Sequence, residues 1–126
     1  MNTVINRFTP GRCIAICGRT GSGKTTILNA IRELIPNGNY NDDYIYRNMA
    51  SIRESINVYC IQSVRSIPPI MRENINFWIF TSRHAVVDFI RFTPGIDINR
   101  VRELLYVFDH PYRVLYYDRF TDEFLI

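Results

Sequence analysis

The sequence predicts an α/β fold: a mostly parallel β-sheet flanked by helices, with a small antiparallel hairpin at its C-terminal edge. Three observations predict it. Residues 13–17, Cys-Ile-Ala-Ile-Cys, form an apolar run with no alternating polar positions, as expected of a strand buried on both faces. That run passes through glycines directly into a segment of helical spacing. Two further short apolar, β-compatible runs, at 56–61 and 76–80, then precede more helical segments, the order of elements that builds a parallel sheet.

The 126 residues match the usual size of one domain, about 100–150 residues, so a single domain spanning 1–126 is expected. With 47% hydrophobic and 21% charged residues the chain has the composition of a folded globular protein and not of a disordered one. The formal net charge of +3 is mild and permits contact with nucleic acid or nucleotide without requiring either. Of the 15 basic residues only Lys24 is a lysine. The odd number of cysteines, Cys13, Cys17 and Cys60, all in strand-like stretches, argues for thiols in a reducing compartment and against a zinc site. No run approaches the roughly 20 apolar residues of a membrane span, and no signal peptide is visible, so an intracellular protein without a membrane partner is expected.

The elements follow in order. After a polar start comes the first strand at 13–17. From Lys24, Ile27, Leu28, Ile31, Leu34 and Ile35 recur at helical spacing until Pro36-Asn37-Gly38 stops them. Residues 38–46 are polar and read as turns, unsuited to a buried strand, and a short helix over 47–55 is expected next. The second strand is placed at 56–61, a loop with Gln62, Ser63 and Pro68-Pro69 follows, and the third strand is placed at 76–80. Helical spacing at 83–92 and 98–108 is divided by Pro94-Gly95. Residues 113–118 and 123–126 read as a hairpin closed around Phe120-Thr121-Asp122.

Gly18-Arg19-Thr20-Gly21-Ser22-Gly23-Lys24-Thr25 satisfies G-x-x-x-x-G-K-[ST] in full, between a predicted strand and a predicted helix. That context identifies a P-loop, in which backbone N–H groups wrap the phosphates of ATP or a close relative. The glycines permit the backbone angles and the close approach, and the helix beginning near Lys24 adds its positive dipole end. Lys24 is expected to reach the β- and γ-phosphates, the Thr25 hydroxyl to ligate Mg²⁺, and Thr26 to complete the binding segment. Hydrolysis also needs a Mg²⁺-side carboxylate and a group that positions water. Asp42-Asp43 is the candidate acidic pair, with Asp43 taken as the metal ligand, although the preceding residues lack the apolar strand that normally carries such a group.

The stretch 56–84 resembles viral genome-packaging ATPases, the poxvirus-type branch of the FtsK/HerA superfamily. In that family a strand ends in Gln, a loop with Pro and then Arg-x-Asn follows, and the next strand opens with aromatic residues. Gln62, Pro68, Arg72, Asn74 and Phe77-Trp78 meet this pattern. Arg53 and Asn57 are similar to an upstream Arg-His-x-Asn element with Glu54 in place of its His, and residues 114–121 loosely resemble the closing hairpin. The resemblance covers about two thirds of the chain. It implies that Gln62 is a sensor of the γ-phosphate or attacking water, and that Arg72 is a catalytic arginine facing a neighbouring subunit's nucleotide. It also implies double-stranded DNA as a sequence-independent partner and a homo-oligomeric ring.

The sequence-level reading is therefore an ATP-binding P-loop protein acting as a DNA-packaging or translocating ATPase. The alternative is a non-hydrolytic nucleotide-binding or assembly module that has lost its metal-binding strand. A small nucleotide kinase is disfavoured, because no Arg-rich lid is apparent. Arg83-His84 could touch a phosphate or DNA but fits a helix start as well, and a DNA-facing loop at 65–72 is consistent with a translocase. The remaining arginines are spread along the chain as a solvated surface would have them, and the eight Tyr and eight Phe fall within core patterns.

Overall fold

The computed structural model describes residues 4–41, 55–111 and 113–126. They form a six-stranded sheet of order β2-β3-β1-β4-β5-β6 with helices on both faces. The strands are β1 (Cys13–Cys17), β2 (Asn39–Asn41), β3 (Asn57–Ile61), β4 (Phe77–Phe80), β5 (Leu115–Asp118) and β6 (Glu123–Leu125). The helices are α1 (Lys24–Leu34), α2 (Pro69–Asn74), α3 (Arg83–Phe92) and α4 (Ile98–Arg102). The expected fold class is borne out. β2, β3, β1 and β4 run parallel, and β5 and β6 close the far edge as an antiparallel hairpin.

β1 lies between β3 and β4, with Ala15 level with both Tyr59 and Trp78. All five of its residues are buried, which is why it reads as an uninterrupted apolar run. Strand side chains alternate between faces, so the sheet has two cores. Cys13, Ala15, Cys17, Tyr59, Ile61, Trp78, Phe80 and Tyr117 pack with Met71 and Ile75 at α2, Val86 and Phe89 of α3 and Val101 of α4. Ile14, Ile16, Val58, Phe77, Ile79 and Tyr116 pack under Leu28 and Ile31 of α1 and against Val4 and Phe8. Phe89 anchors the first core, its ring 4.9 Å from that of Trp78 and 5.0 Å from that of Phe80.

The edge of the sheet opposite the P-loop is fixed by charge. Asp118, fully buried at the end of β5, accepts from Arg12 Nη1 at 2.8 Å, Arg12 Nη2 at 3.0 Å and Arg7 Nη1 at 2.8 Å. The Phe120 N–H completes its shell at 3.0 Å. Burial opposes ionisation of this carboxyl, but the hydrogen bonds from Arg12 and Arg7 outweigh it and hold the group below the usual carboxylate range.

Three expectations are corrected in detail. Residues 39–41, expected as turn, form β2. It pairs in parallel with β3 through Asn39↔Asn57, and the Tyr40 hydroxyl donates to the Ile31 carbonyl at 3.3 Å and to the Ile35 carbonyl. It is an edge strand, its Asn39 exposed and Tyr40 half-buried, so it shows no apolar pattern. Residues 69–74, expected as loop, form α2, with Pro69 in the first helical position, where its missing N–H costs nothing. The helix expected over 98–108 breaks after α4 and continues as a 3-10 helix at Leu105–Asp109. Val101 and Val107, both buried, would lie roughly 120° apart around a continuous α-helix, and the break lets both face the core. The helix expected over 47–55 is not among these, since apart from Ser55 it lies outside the described residues.

Candidate functional site

The site is built where β1 ends. Gly18 is buried and passes so close to β4 that a Cβ there would lie 1.8 Å from Thr81 Oγ1 and 2.5 Å from Ser22 Oγ. Glycine is required by that approach. Gly21 and Gly23 take φ values of 82° and 98°, the left-handed region that favours glycine, so here the requirement is conformational. Gly23 is the N-cap of α1, and Lys24 and Thr25 occupy its first turn, where the free N–H groups and the helix dipole attract an anion. Thr20, Gly21, Ser22, Gly23, Lys24, Thr25 and Thr26 line a cavity of about 750 Å³ together with Pro111. Arg19 is exposed and turns toward a neighbouring groove.

The tip of β3 is tied to the loop, because the Gly18 N–H donates to the Ile61 carbonyl at 3.2 Å. Gln62 follows directly and is exposed, so its amide stands at the end of the strand beside the P-loop. On the other side of β1, Thr81 directly follows β4. Its N–H donates to the Cys17 carbonyl at 2.9 Å and its Oγ1 lies 2.6 Å from Ser22 Oγ. Ser22 Oγ in turn donates to the Arg19 carbonyl at 2.6 Å. The Cys17 thiol beneath the loop is pushed upward in pKa by burial and by the nearby Cys60, so it stays protonated.

A second cavity of about 580 Å³ joins the first through Gly21, Ser22 and Pro111. Its basic lining includes Arg19, Arg83, His84, His110 and Arg113, with Asp109 the carboxylate, paired to Arg83 at 2.9 Å. Val87 and Phe108 give it apolar surface. The expected pair Arg83-His84 is therefore at the site, although Arg83 is partly committed to Asp109 and His84 lies 3.5 Å from buried Asp88.

Arg72 is not brought to this chain's own P-loop. α2 leads into the N-terminal end of β4, at the opposite edge from Gly18, and the Arg72 guanidinium lies 5.1 Å from the Phe92 ring centroid. Arg65 stands near the same ring at 5.9 Å. Asp42-Asp43 lies outside the described residues. β2 ends just before that pair at Asn41, level with Tyr59 and hence with Ala15, on the side of the sheet from which the P-loop springs. Among the described residues no carboxylate lines the P-loop cavity and no cluster suited to a metal ion is found. Thr25 has the donor chemistry for Mg²⁺ and lines the cavity.

Sequence reasoning missed Thr81, the Ser22 side chain's role, and the groove residues His110 and Arg113. Thr81 carries no local signal, since its importance depends on the pairing of β4 beside β1.

A family model described as ABC transporter matches residues 1–115. The chain belongs to the ABC transporter family. No curated protein sequence matches it. Among solved structures, this ABC transporter family member superposes on the genome packaging NTPase B204 from Sulfolobus turreted icosahedral virus 2 in complex with sulfate. The TM-score is 0.65 at 10% identity, over 93% of this chain and 96% of that one. The same NTPase in complex with ATP-gammaS gives a TM-score of 0.61 at 11% identity, over 93% of this chain and 97% of that one. At such identity the likeness is one of fold, and the fold is that of a P-loop NTPase. The chain is thus a P-loop nucleotide-binding domain. No helix among the described residues is long and apolar enough to cross a membrane.

Proposed function

We propose that this domain binds ATP with Mg²⁺ and hydrolyses it to drive translocation of double-stranded DNA during viral genome packaging, as a member of the poxvirus-type branch of the FtsK/HerA superfamily working in a homo-oligomeric ring. The observation that carries the reading is the placement of Gln62. β3 lies directly beside β1, and the Gly18 to Ile61 hydrogen bond holds its tip at the first residue of the P-loop. The structural likeness to a packaging NTPase supports the same reading.

In this mechanism the loop N–H groups of residues 19–25 and the Lys24 ammonium hold the β- and γ-phosphates, stabilising the charge that develops on them. Gln62 orients a water for in-line attack on the γ-phosphorus. The new P–O bond forms as the β–γ bridging bond breaks, leaving ADP and phosphate. Thr25 and Asp43 would hold Mg²⁺, whose contribution when bound is to neutralise charge on the β- and γ-oxygens. With the γ-phosphate toward Gln62 and β3, the nucleoside end extends toward β4, into the groove lined by His84, Val87, Phe108 and Arg113. Arg72, remote from its own P-loop, would act on the nucleotide of a neighbouring subunit.

A second reading is favoured by one observation: the described part of β2, Asn39-Tyr40-Asn41, is polar and lies at the sheet edge, a weak platform for a metal-binding carboxylate. On that reading the domain binds nucleotide without hydrolysing it and serves assembly. Mg²⁺-dependent ATP hydrolysis, measured with and without double-stranded DNA beside Lys24→Ala and Asp43→Ala, separates the two. Turnover that DNA stimulates and both substitutions abolish supports the motor. Lys24-dependent binding without turnover under any condition leaves the binding module.

A further inference from the structure

We infer that Thr81 is a positioning residue for the P-loop, its hydroxyl locking Ser22 and thereby holding the loop in its phosphate-binding shape. The inference rests on the nucleotide-binding reading above and adds to it a residue that no P-loop motif contains. Thr81 is 8% exposed and directly follows β4, far from the loop in sequence. Its Oγ1 lies 2.6 Å from Ser22 Oγ and 3.2 Å from the Cys17 carbonyl oxygen.

Ser22 Oγ donates to the Arg19 carbonyl at 2.6 Å and Thr81 Oγ1 donates to the Cys17 carbonyl at 3.2 Å. The 2.6 Å contact between the two hydroxyls, in which either can donate, links these anchors and ties Ser22 to the end of β1. The Ser22 N–H also donates to the Arg19 carbonyl, at 3.1 Å, so the turn 19–22 is closed twice at one oxygen. This turn contains Gly21 and is followed by Gly23, both in the left-handed region, where no side chain restricts the backbone. A loop so rich in freedom loses much entropy on binding unless something holds it beforehand. The Thr81 hydroxyl supplies that hold from a buried residue whose own N–H is tied to the Cys17 carbonyl, and it fills the space beside Gly18 that a Cβ would occupy.

The test is nucleotide affinity, by calorimetric titration of ATP, for the wild type, Thr81→Val, Thr81→Ser, Ser22→Ala and the double variant Ser22→Ala/Thr81→Val. Thr81→Val keeps the shape and removes the hydroxyl, and is expected to weaken binding about tenfold, the range of one buried hydrogen bond. Thr81→Ser restores the hydroxyl and is expected within about twofold of wild type. Ser22→Ala is expected to weaken binding to a similar degree, and the double variant no further than either single one, because both remove the same link. Ser22 is only half-buried, so its variant tests the link even where Thr81→Val fails to fold. Full affinity in Thr81→Val, a loss in Thr81→Ser equal to that in Thr81→Val, or multiplied losses in the double variant would each overturn the inference. Binding by Lys24→Ala equal to wild type would instead overturn the nucleotide-site reading itself.

Discussion

Asp118→Asn tests whether the buried charge cluster holds the hairpin to the sheet. The substitution preserves volume and removes one negative charge from a carboxylate that accepts from two arginines at 2.8–3.0 Å and from the Phe120 N–H. Arg12 is itself only 7% exposed, so its guanidinium is left buried beside Phe77 and Phe120 without a counter-charge. Breaking a buried pair by removing one partner costs about 3–5 kcal/mol. At about 4 °C per kcal/mol for a domain of this size, the melting temperature should fall by about 12–20 °C. Thermal and urea unfolding followed by far-UV circular dichroism read the loss. The pH profile gives a second signature. The folded-state carboxyl is depressed, so its contribution is present above the unfolded value of about 3.9 and is lost as pH falls through the lower folded value. Wild-type stability should drop in that acid window, and the Asp118→Asn variant should lack this component. A loss under about 1 kcal/mol would refute the reasoning, since the cluster would then count as an ordinary surface bridge.

Other perturbations give sharp outcomes. Phe89→Ala removes the ring packed on Trp78, Phe80 and Tyr117 and should destabilise the fold by about 3–5 kcal/mol in denaturant titration. Gly18→Ala forces a Cβ against Thr81 Oγ1 and Ser22 Oγ and should lower both stability, by about 1–3 kcal/mol, and ATP affinity in parallel titrations. The Cys13 thiol is pushed up to about 12 by burial, and Cys17 is raised as well. Both should therefore react with a thiol reagent at pH 8 far more slowly in the native protein than in denaturant.

The central sheet was legible because the residues that make it are apolar on both faces. β1, β3 and β4 are buried almost throughout, and their runs stand out from the surrounding polar sequence. The P-loop was legible because its chemistry is local: glycines, Lys24 and Thr25 lie in one contiguous segment whose conformation follows from the residues themselves. β2 was not, because Asn-Tyr-Asn joins the sheet through backbone pairing at an edge, with Asn39 bonded to Ser55 and Asn57 and Tyr40 to α1. α2 was hidden by Pro68-Pro69, which read as a loop although proline suits a first helical turn. Thr81 and the groove around Arg113 depend on which strand lies next to β1. That order places residues far apart in sequence beside the loop, and spacing along the chain does not encode it.

The measurement that most directly tests the account is direct binding of ATP to the purified chain, compared with Lys24→Ala. Saturable binding by the wild type is expected, with at least about a tenfold loss on removal of the ammonium proposed to hold the β- and γ-phosphates, and with the melting temperature of the nucleotide-free variant unchanged. Equal affinity in the two proteins would place the nucleotide elsewhere and contradict the assignment of Gly18, Arg19, Thr20, Gly21, Ser22, Gly23, Lys24 and Thr25 as the phosphate site.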